Sequence, residues 1–413
     1  MDITEYSYVI VGSGLLGAVT AERIANQLDQ PVLVIEKRDH IGGNCYSAVD
    51  QGTGIEYHAY GTHIFHTSNQ KVWNYIRHFI QFNTYRHKVL TVHKDRVYPF
   101  PINLATINQF FGKNLKPFEV EAFMNTLREP ATAARASAAP APASAAPATA
   151  TTATSSTPAA PASPANFEEQ AISLLGRELY EAFFKYYTLK QWQVDPRQLP
   201  PAIFNRLPFR ANYDDNYFFD RWQGIPEKGY THLFERLLAN RKIKVLLNTD
   251  FFEVRHLLKK DSCLVYSGPI DRFFDYKFGK LSWRTLRFEQ ETIDRQDYQG
   301  NSVINFPDAE IPYTRIHEPR HLHPEKQYPN DKTIIFREYS LPDQGDNPYY
   351  PIASTENQRL LGLYKEEAAK LKNVFISGRL GDYKYYDMDQ TICRALEIFE
   401  TGILPLTPTI HAL

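Results

Sequence analysis

The sequence predicts an α/β fold, and three features of the chain lead to this prediction. The apolar segment 8–11 is typical of a strand, and it runs into a glycine-spaced turn followed by a helix. The apolar segment 32–35 is typical of a second strand, and it ends in Glu36. Near the other end, 374–379 indicates a last strand, with a helix beginning near Asp387. We therefore expect both ends of the chain to complete one discontinuous Rossmann-like domain around inserted regions.

The turn after the first strand carries glycines at the dinucleotide-binding spacing. Gly12 permits a tight bend, Gly14 lets the backbone approach a pyrophosphate, and Gly17 lets the helix pack close to the strand. The pyrophosphate then lies on free N–H groups at the positive end of the helix dipole. Glu36 can accept hydrogen bonds from ribose hydroxyls, and its charge repels a 2′-phosphate. The pattern therefore predicts FAD or NAD rather than NADP.

The composition excludes several classes of protein. A chain of 413 residues is expected to form two or three domains, and 46 Lys plus Arg against 47 Asp plus Glu give no general case for a nucleic-acid partner. Cys45, Cys263 and Cys393 are odd in number and widely spaced, which is untypical of a disulfide framework. No apolar run approaches a membrane span, and residues 1–5 do not resemble a secretory signal. We expect a cytoplasmic protein without a membrane span.

The first half of the chain combines regular elements with one segment of unusual composition. The spacing of apolar residues predicts a helix over 68–82, and alternation predicts a single strand over 89–98. Residues 131–165 contain only Ala, Pro, Ser and Thr apart from one arginine, which predicts a flexible linker. Asn166 with Glu169 three residues later resembles a capping box that begins the next helix.

The second half alternates between the two types of element. Apolar residues at helical spacing, Ile172, Leu175 and Leu179, predict a helix after the linker. A strand is predicted over 242–247, and residues 262–340 are expected to be mainly β.

Several motifs along the chain are together similar to those of one family. They are Val34–Arg38, His40–Asn44, Tyr60–His66, Tyr187–Trp192, Asp215–Phe218, Gln223–Pro226, Gly268–Asp271, Pro312–Arg315, Gly378–Leu380 and Tyr383–Met388. With these motifs the chain resembles the bacterial UDP-galactopyranose mutases, flavoenzymes that interconvert UDP-galactopyranose and UDP-galactofuranose. The resemblance covers nearly the whole chain except 131–165.

The resemblance implies three domains. We expect an FAD-binding domain made of 1–100 and 341–413, a helical domain over 101–200 and a twisted antiparallel sheet domain over 201–340 that returns to the first domain. The 131–165 insertion then falls in a connection of the helical domain. Gln193 follows Trp192 where the resemblance leads us to expect glycine, so the turn at this position is in question.

The resemblance also implies a reaction without net redox change. FAD acts in its reduced form, and its N5 atom attacks the anomeric carbon of the sugar while UDP leaves. The implied partners are the UDP-sugar, a flavin reductant such as NAD(P)H and a second copy of the chain in a homodimer. The implied role is to supply galactofuranose for cell-surface polysaccharide.

Site residues are carried over from the matching motifs. The implied FAD contacts are Gly12, Ser13, Gly14, Leu16, Gly17, Glu36, Lys37, Gly43, Asn44, His63, Ile64, Arg379, Tyr386, Asp387 and Met388. The implied UDP-sugar contacts are Asn83, Phe183, Tyr187, Thr188, Trp192, Arg206, Tyr217, Arg284, Asn305, Arg315, Tyr350 and Tyr385. His63, Arg206 and Arg315 are implied to be catalytic.

Physical arguments accompany some of these assignments. Departure of UDP places negative charge on the diphosphate, and the permanently charged guanidinium groups of Arg206 and Arg315 suit that charge. Uracil needs an aromatic face, which Phe183 and Tyr187 offer, although both also fit a buried helix face. Free N–H groups of the helix after Asp387 would stabilise an anionic reduced flavin.

Two other functions share parts of this pattern. A hydride-transferring flavin oxidoreductase of the amine-oxidase type explains residues 8–46 equally well, and a binding module without activity is the non-enzymatic alternative. A metal site is not expected, because the spacing of His58, His63 and His66 fits no standard zinc pattern.

Overall fold

The computed structural model of the chain describes residues 3–129, 163–206, 209–328, 331–345 and 347–406, without the side chains of residues 205 and 206. All but the last three residues of the predicted 131–165 linker lie outside this part. The chain divides into two compact units. The larger unit contains Met1–His87, Tyr217–Val303 and Ile316–Leu413, and the smaller unit contains Lys88–Asn216 and Ile304–Arg315. The predicted domain ranges stay predictions.

The strands of the described residues are numbered in chain order. They are β1 (Tyr8–Val11), β2 (Val32–Ile35), β3 (Ser47–Val49), β4 (Glu56–His58), β5 (Phe65–Thr67), β6 (Val89–His93), β7 (Arg96–Phe100), β8 (Trp222–Gly224), β9 (Ile243–Leu246), β10 (Cys263–Tyr266), β11 (Trp283–Ile293), β12 (Val303–Asn305), β13 (Arg315–His317), β14 (Thr333–Pro342), β15 (Tyr350–Pro351) and β16 (Val374–Ile376).

The α-helices follow the same convention, and shorter helical segments keep their residue ranges. The α-helices are α1 (Leu15–Gln27), α2 (Gln70–Ile76), α3 (Leu104–Phe111), α4 (Pro117–Leu127), α5 (Phe167–Leu175), α6 (Arg177–Tyr180), α7 (Tyr186–Trp192), α8 (Gly229–Leu237), α9 (Phe251–Val254), α10 (Ile270–Phe273), α11 (Thr355–Ala368), α12 (Gly378–Gly381) and α13 (Met388–Glu397). The 3₁₀ segments are Gly43–Cys45, Pro196–Gln198, Pro201–Arg206, Arg255–Leu257 and Pro319–Leu322, and the π segments are Glu181–Lys185 and Ile398–Ile403.

The larger unit is built on a parallel five-stranded sheet with the order β16-β10-β1-β2-β9. Its central strands β10, β1 and β2 are apolar on both faces, as expected when both faces are covered. On one face Ile10 and Val34 pack with α1 and α13, and on the other face Val9 and Leu33 pack with Phe251 of α9. The predicted α/β class with a Rossmann-like domain is confirmed by this arrangement.

Several antiparallel strand pairs also belong to the larger unit. The long strands β11 and β14 pair from Arg284 opposite Pro342 to Ile293 opposite Thr333, and β15 pairs with the start of β11. The hairpin β3–β4 and the pair β5–β8 are also antiparallel. The prediction of mainly β structure over 262–340 agrees with these strands.

The smaller unit contains a hairpin where the sequence predicted one strand. The expectation of a single strand over 89–98 is wrong, because Lys94 and Asp95 form a two-residue turn between β6 and β7. Both turn residues have positive φ, 49° and 61°, as a tight hairpin turn requires. Neither residue is glycine or asparagine, so the usual sequence signal for this turn is missing. Strand β12 then pairs with β6 in parallel.

Helix boundaries follow local capping in both units. The predicted helix over 68–82 is shorter than expected, since α2 ends at Ile76. Asn166 caps α5 as predicted, because its side chain accepts a hydrogen bond from the N–H of Glu169 at 2.9 Å. In a simple capping box the Glu169 carboxylate would accept from the N–H of Asn166. It accepts instead from the N–H of the preceding residue, Ala165, at 2.8 Å. Among the described helices, none is long and apolar enough to cross a membrane.

Gln193 keeps the turn that the sequence left in question. It ends α7 in the left-handed conformation, with φ 52° and ψ 33°, and its N–H donates to the carbonyl oxygen of Leu189 at 2.7 Å. Glycine adopts this conformation without a Cβ penalty, whereas other L-residues are strained there.

Replacement of Gln193 by glycine should therefore stabilise the protein by up to about 1 kcal/mol. Thermal melting of the Gln193→Gly and Gln193→Ala variants measures this, since alanine removes the side chain but keeps the strained backbone. Equal melting temperatures for the two variants would show that the left-handed turn carries no cost here.

Candidate functional site

The glycine turn of the larger unit brings α1 against β1 at backbone distance. A Cβ on Gly17 would lie 1.9 Å from the carbonyl oxygen of Gly12, so no other residue fits there without movement. A Cβ on Gly43 would lie 3.0 Å from the Cα of Gly14, which makes the two glycine segments face each other. Gly14 caps α1 with no side-chain hydrogen bond and no acidic residue follows in the first turn. This bare helix terminus suits an anionic group.

Glu36 is buried at the end of β2, where it orders the same turn. One carboxylate oxygen accepts from both the N–H and the hydroxyl of Ser13 at 2.8 Å, and the other accepts from the N–H of Arg38 at 3.0 Å. Arg38 in turn donates to the Asn44 side chain at 3.0 Å. Lys37, between them, is exposed. The predicted cofactor residues at 12–17, 36 and 43–44 therefore lie together.

The segment 60–63 is held by side chains from elsewhere in the larger unit. The hydroxyl of Tyr349 donates to the carbonyl oxygen of Tyr60, and the hydroxyl of Tyr230 donates to that of His63 at 3.2 Å. The N–H of His63 donates to Nδ1 of His58 at 3.0 Å. Because these partners are tertiary, the backbone of this segment is fixed without belonging to a strand.

The hydrogen bonds of His63 define its tautomer. Its Nδ1 lies 2.6 Å from the carbonyl oxygen of Gly61, which only accepts, so Nδ1 carries the proton and Nε2 offers a lone pair. Burial lowers the pKa of His63 to about 4, and the nearby charge of Arg379 adds to this effect. The histidine is therefore neutral at physiological pH and acts as a hydrogen-bond acceptor through Nε2.

Arg379 begins the C-terminal part of the site. It follows β16 on α12, donates to the carbonyl oxygen of Tyr349, and lies over the Tyr349 ring at 4.9 Å. Tyr386 donates to Asp382 at 3.1 Å, and Asp387 precedes α13 at Met388. The charge of Arg379 also acts on His63, where it adds to the lowering of the histidine pKa.

Three predicted substrate residues of the larger unit also come together. Tyr350 pairs with Arg284 across β15 and β11, and the Tyr350 ring stacks on Tyr385 with ring centres 5.8 Å apart. The Arg284 guanidinium is buried and donates to the Ser340 hydroxyl at 3.1 and 3.3 Å, and burial lowers its pKa. A buried cation on the strand position opposite Tyr350 is suited to bind an anion.

The remaining predicted residues of the larger unit have strong interactions within the protein. Asn83 is buried, accepts from the N–H groups of Tyr85 and Ile225, and donates to the carbonyl oxygen of Leu322. Ile64 is buried in the same region, and Tyr217 packs edge-on against His87. Substrate or cofactor contact by these residues stays a prediction.

The smaller unit places its predicted residues on one helix and one loop. Tyr187, Thr188 and Trp192 lie on α7, whereas Phe183 in the preceding π segment is buried against Tyr98 and Phe110. The packing of Phe183 favours the buried helix face, which the sequence left as an alternative.

The loop 306–314 of the smaller unit is flanked by two more predicted residues. Asn305 ends β12, and Arg315 begins β13. Arg206 ends a 3₁₀ segment, and its side chain lies outside the described part of the chain.

Among the described residues, one group of side chains is close enough to share a metal ion. Asp297, Glu318 and His321 have ligand atoms within 4.8 Å of one another. Glu318 is fully buried and already accepts from the N–H groups of Tyr298 and Gln299. Its carboxylate therefore orders the 297–300 turn. The expectation that the protein needs no metal remains a prediction.

Comparison with known proteins identifies the family. A family model described as UDP-galactopyranose mutase matches residues 182–385, and one described as NAD(P)-binding Rossmann-like domain matches residues 10–79. The chain is 39% identical to a probable UDP-galactopyranose mutase of Klebsiella pneumoniae over 391 residues, which is 94% of this chain and 92% of that protein. The chain belongs to the UDP-galactopyranose mutase family. The resemblance that the motifs indicated is thereby confirmed, and the chain is an isomerase.

Relatives in this mutase family differ in their named substrates. A dTDP-fucopyranose mutase of Escherichia coli is 36% identical over 394 residues, covering 94% of this chain and 96% of that protein. A UDP-galactopyranose mutase of Mycoplasma genitalium is 32% identical over 422 residues, covering 96% and 95%. A crystal structure of reduced UDP-galactopyranose mutase matches with a TM-score of 0.66 at 15% identity, covering 97% of this chain and 94% of that chain, which shows a shared fold.

Sequence reasoning missed a chain of hydrogen bonds in this mutase. The Thr62 hydroxyl lies 2.7 Å from Nδ1 of His317, and Nε2 of His317 lies 3.0 Å from the Glu338 carboxylate. His317 and Glu338 are buried. An ionised carboxylate only accepts, so the proton lies on Nε2 and Nδ1 accepts from Thr62. The only signal in the sequence was the position of Thr62 inside the Tyr60–His66 motif, since its partners are distant in the chain.

The buried histidine that supports His63 gives a prediction about pH. Burial lowers the pKa of His58 to about 3, so it stays neutral when folded, whereas an unfolded histidine takes up a proton near pH 6.5. Its contribution to stability is therefore complete above pH 6.5 and is lost as the pH falls. The free energy of unfolding of the wild type relative to His58→Gln should decrease by about 1.4 kcal/mol per pH unit between pH 6.5 and 4.5.

Urea unfolding followed by intrinsic fluorescence measures this difference. The same replacement at exposed His256 serves as the control for the loss of a histidine outside the core. A difference for His58→Gln that did not change with pH would contradict the neutral, buried state of His58.

Proposed function

We propose that this chain interconverts UDP-galactopyranose and UDP-galactofuranose with FAD bound in its reduced form. The observation that carries the proposal is the likeness, over 94% of the chain, to a relative named as such a mutase. The described residues also fit the cofactor, because a Cβ on Gly43 would lie 3.0 Å from the Cα of Gly14, beside the uncapped N-terminus of α1. When bound, reduced FAD would supply the nucleophile that reacts with the anomeric carbon of the sugar.

The larger unit would bind the cofactor. The uncapped N-terminus of α1 would receive the pyrophosphate, and Glu36 would accept hydrogen bonds from ribose in addition to its bonds with Ser13. Arg379 on α12 provides a fixed positive charge, which would favour an electron-rich flavin. The first turn of α13 carries the Asp389 carboxylate, which already accepts from the N–H of Gln390 at 2.7 Å.

His63 would act as a hydrogen-bond acceptor beside the flavin. Its Nδ1 proton is committed to Gly61, so its Nε2 can only accept. A pKa near 4 means that the ring keeps this acceptor role throughout the neutral pH range. The segment 60–63, which is pinned by Tyr349 and Tyr230, would hold the ring in one orientation.

The leaving diphosphate calls for cationic donors. Within the larger unit, Arg284 carries a buried guanidinium group, and Tyr350 and Tyr385 carry hydroxyls. Within the smaller unit, Arg315 at the start of β13 carries a guanidinium group. Thr188 and Trp192 on α7 would receive the uracil. These roles require no acidic or basic side chain to act as a nucleophile.

A second substrate is favoured by one comparison. The Escherichia coli relative named dTDP-fucopyranose mutase is 36% identical over 94% of this chain. The two reactions share the same ring contraction, and they differ in the nucleobase, the nucleotide sugar hydroxyl and the C6 hydroxyl of the hexose. We expect the UDP-sugar to be preferred because the more similar relative carries that name.

Product analysis with both furanose substrates tests the proposal. The purified protein is reduced with dithionite, UDP-galactofuranose or dTDP-fucofuranose is added, and products are followed by chromatography. We expect conversion of UDP-galactofuranose to the pyranose only in reduced samples. Faster conversion of dTDP-fucofuranose than of UDP-galactofuranose would favour the dTDP-fucopyranose mutase function. Binding of either nucleotide sugar without turnover would favour a binding module without activity.

The wider context of the reaction belongs to the same proposal. We expect FAD to be kept reduced by a donor such as NAD(P)H, the chain to form a homodimer and the product to supply cell-surface polysaccharide from the cytoplasm. Light scattering during size-exclusion chromatography measures the oligomeric state.

The diphosphate role of arginine gives a prediction about turnover. Arg315→Ala should lower kcat about 10²–10³-fold because a charged donor to the leaving group is lost, and the flavin content should not change. Arg206→Ala should have a similar effect. Arg359→Ala is the control, because this exposed side chain on α11 pairs with Glu356 in its own helix. Turnover is expressed per bound flavin, which is quantified by its absorbance. Near-normal turnover in either active-site variant would show that the replaced arginine has no role in the mechanism.

A further inference from the structure

Lys190 holds an unusual position in the smaller unit. Its side chain leaves α7 and its ammonium donates to four backbone carbonyl oxygens of one loop. The acceptors are Phe306 at 2.5 Å, Asp308 at 2.9 Å, Ile311 at 2.9 Å and Tyr313 at 3.1 Å. An ammonium has only three N–H groups for these four oxygens. The oxygens are therefore attracted by its positive charge as well as by directed hydrogen bonds. The loop 306–314 is therefore folded around a cation.

The loop itself is short and closed at its base. The N–H of Phe306 donates to the carbonyl oxygen of Thr314 at 2.9 Å, and the rings of Phe306 and Tyr313 pack edge-on with centres 5.0 Å apart. Between these ends, four carbonyl oxygens point to one place, which is unfavourable unless a cation is present. Lys190 supplies that cation from a different element of the same unit.

The loop supplies the other charges around the ammonium, and the β6–β7 hairpin contacts that loop. Asp308 and Glu310 favour the charged lysine, whereas burial lowers its pKa to about 8. Asp308 is itself bonded to Nδ1 of His93 at 2.5 Å and to the N–H of Lys94 at 2.9 Å. The loop is thus fixed on one side by the β6–β7 hairpin and on the other side by Lys190.

The elements that Lys190 joins both carry predicted substrate residues. Its own helix α7 bears Thr188 and Trp192 within two residues of it. The loop that it binds is flanked by Asn305 at one end and Arg315 at the other. One side chain therefore connects the helix expected to receive the nucleobase with the strand expected to receive the diphosphate.

We propose that Lys190 is a positioning residue for nucleotide-sugar binding, whose ammonium fixes the 306–314 loop and so sets Arg315 relative to α7. This rests on the proposed function for the identity of the ligand. A lysine here is not interchangeable with arginine, because a planar guanidinium cannot place its donors at the centre of four converging oxygens. A neutral side chain would leave the four oxygens without a charge to face.

Two variants of Lys190 test the role, with UDP as the probe of binding. Lys190→Met keeps the stem and its packing, and Lys190→Ala leaves a space shaped for a small ammonium ion. Both should weaken UDP affinity about tenfold or more, which corresponds to about 1.4 kcal/mol, while flavin content stays constant. Backbone amides of 306–314 should exchange faster in both variants. Lys113→Ala, at an exposed position of the same unit, is the control.

Chemical rescue distinguishes the charge from general damage to the fold. Propylammonium replaces the atoms deleted in Lys190→Ala, so it should restore UDP affinity and slow amide exchange in the loop. Tetramethylammonium carries the same charge but no N–H donor, and it should restore neither. Equal effects of the two salts, or none from propylammonium, would overturn the proposal.

Coupling to Arg315 separates positioning from a purely structural role. If Lys190 acts through Arg315, the Lys190→Met change should have little further effect on UDP affinity in an Arg315→Ala background. In the wild type, affinity should also fall between pH 7 and 9 as the ammonium loses its proton, and Lys190→Met should not show this fall.

The remaining outcomes distinguish failure of the Lys190 positioning role from failure of the proposed function. Additive effects of the two substitutions, or wild-type affinity in Lys190→Met, would refute the positioning role alone. If the wild type bound neither UDP nor dTDP, the proposed function would fail, and the positioning role would fail with it.

Discussion

The close approach of α1 to β1 is the constraint on which the larger unit depends. With a Cβ on Gly17 only 1.9 Å from the carbonyl oxygen of Gly12, the helix can reach its observed position only if residue 17 has no side chain. This contact places the bare N-terminus of α1 at the carboxyl end of the sheet, beside Glu36. The order of the parallel strands then brings β16, and with it Arg379, to the same edge from the far end of the chain. The cofactor cradle is therefore a consequence of helix packing as much as of loop conformation.

Outside the regular elements, the site segments are held by side chains that satisfy loop backbone groups. Segment 60–63 of the larger unit receives bonds from Tyr349, Tyr230 and His58, and loop 306–314 of the smaller unit converges on Lys190. Buried backbone polar groups must find partners, and a loop that cannot pair with a strand must use side chains. In each unit, residues expected to act on substrate lie next to such an anchored loop. Their positions can therefore be fixed without extending a sheet into the site.

Electrostatics in the larger unit favour one protonation state. His58 and His63 are both kept neutral by burial, and Arg379 adds to the effect on His63. The Arg379 guanidinium, whose protonation does not change in water, acts on His63, whereas the Glu56 carboxylate acts on His58. A site with fixed cations and neutral histidines suits a reaction in which negative charge develops on a leaving diphosphate, because no group has to change its charge first.

The sequence by itself determined the glycine turn, Glu36, the capping of α5 by Asn166 and the family, because these signals are local or lie in short contiguous motifs. It did not determine the β6–β7 turn at Lys94 and Asp95, where tertiary pairing forces positive φ on residues that do not prefer it. It also gave no indication that Thr62, His317 and Glu338 form one hydrogen-bonded chain, or that Lys190 binds a loop more than one hundred residues away. Those arrangements depend on which distant backbone and side-chain groups converge in space. Only the folded chain decides this, because a hydrogen bond is specified by distance and direction and not by separation in sequence.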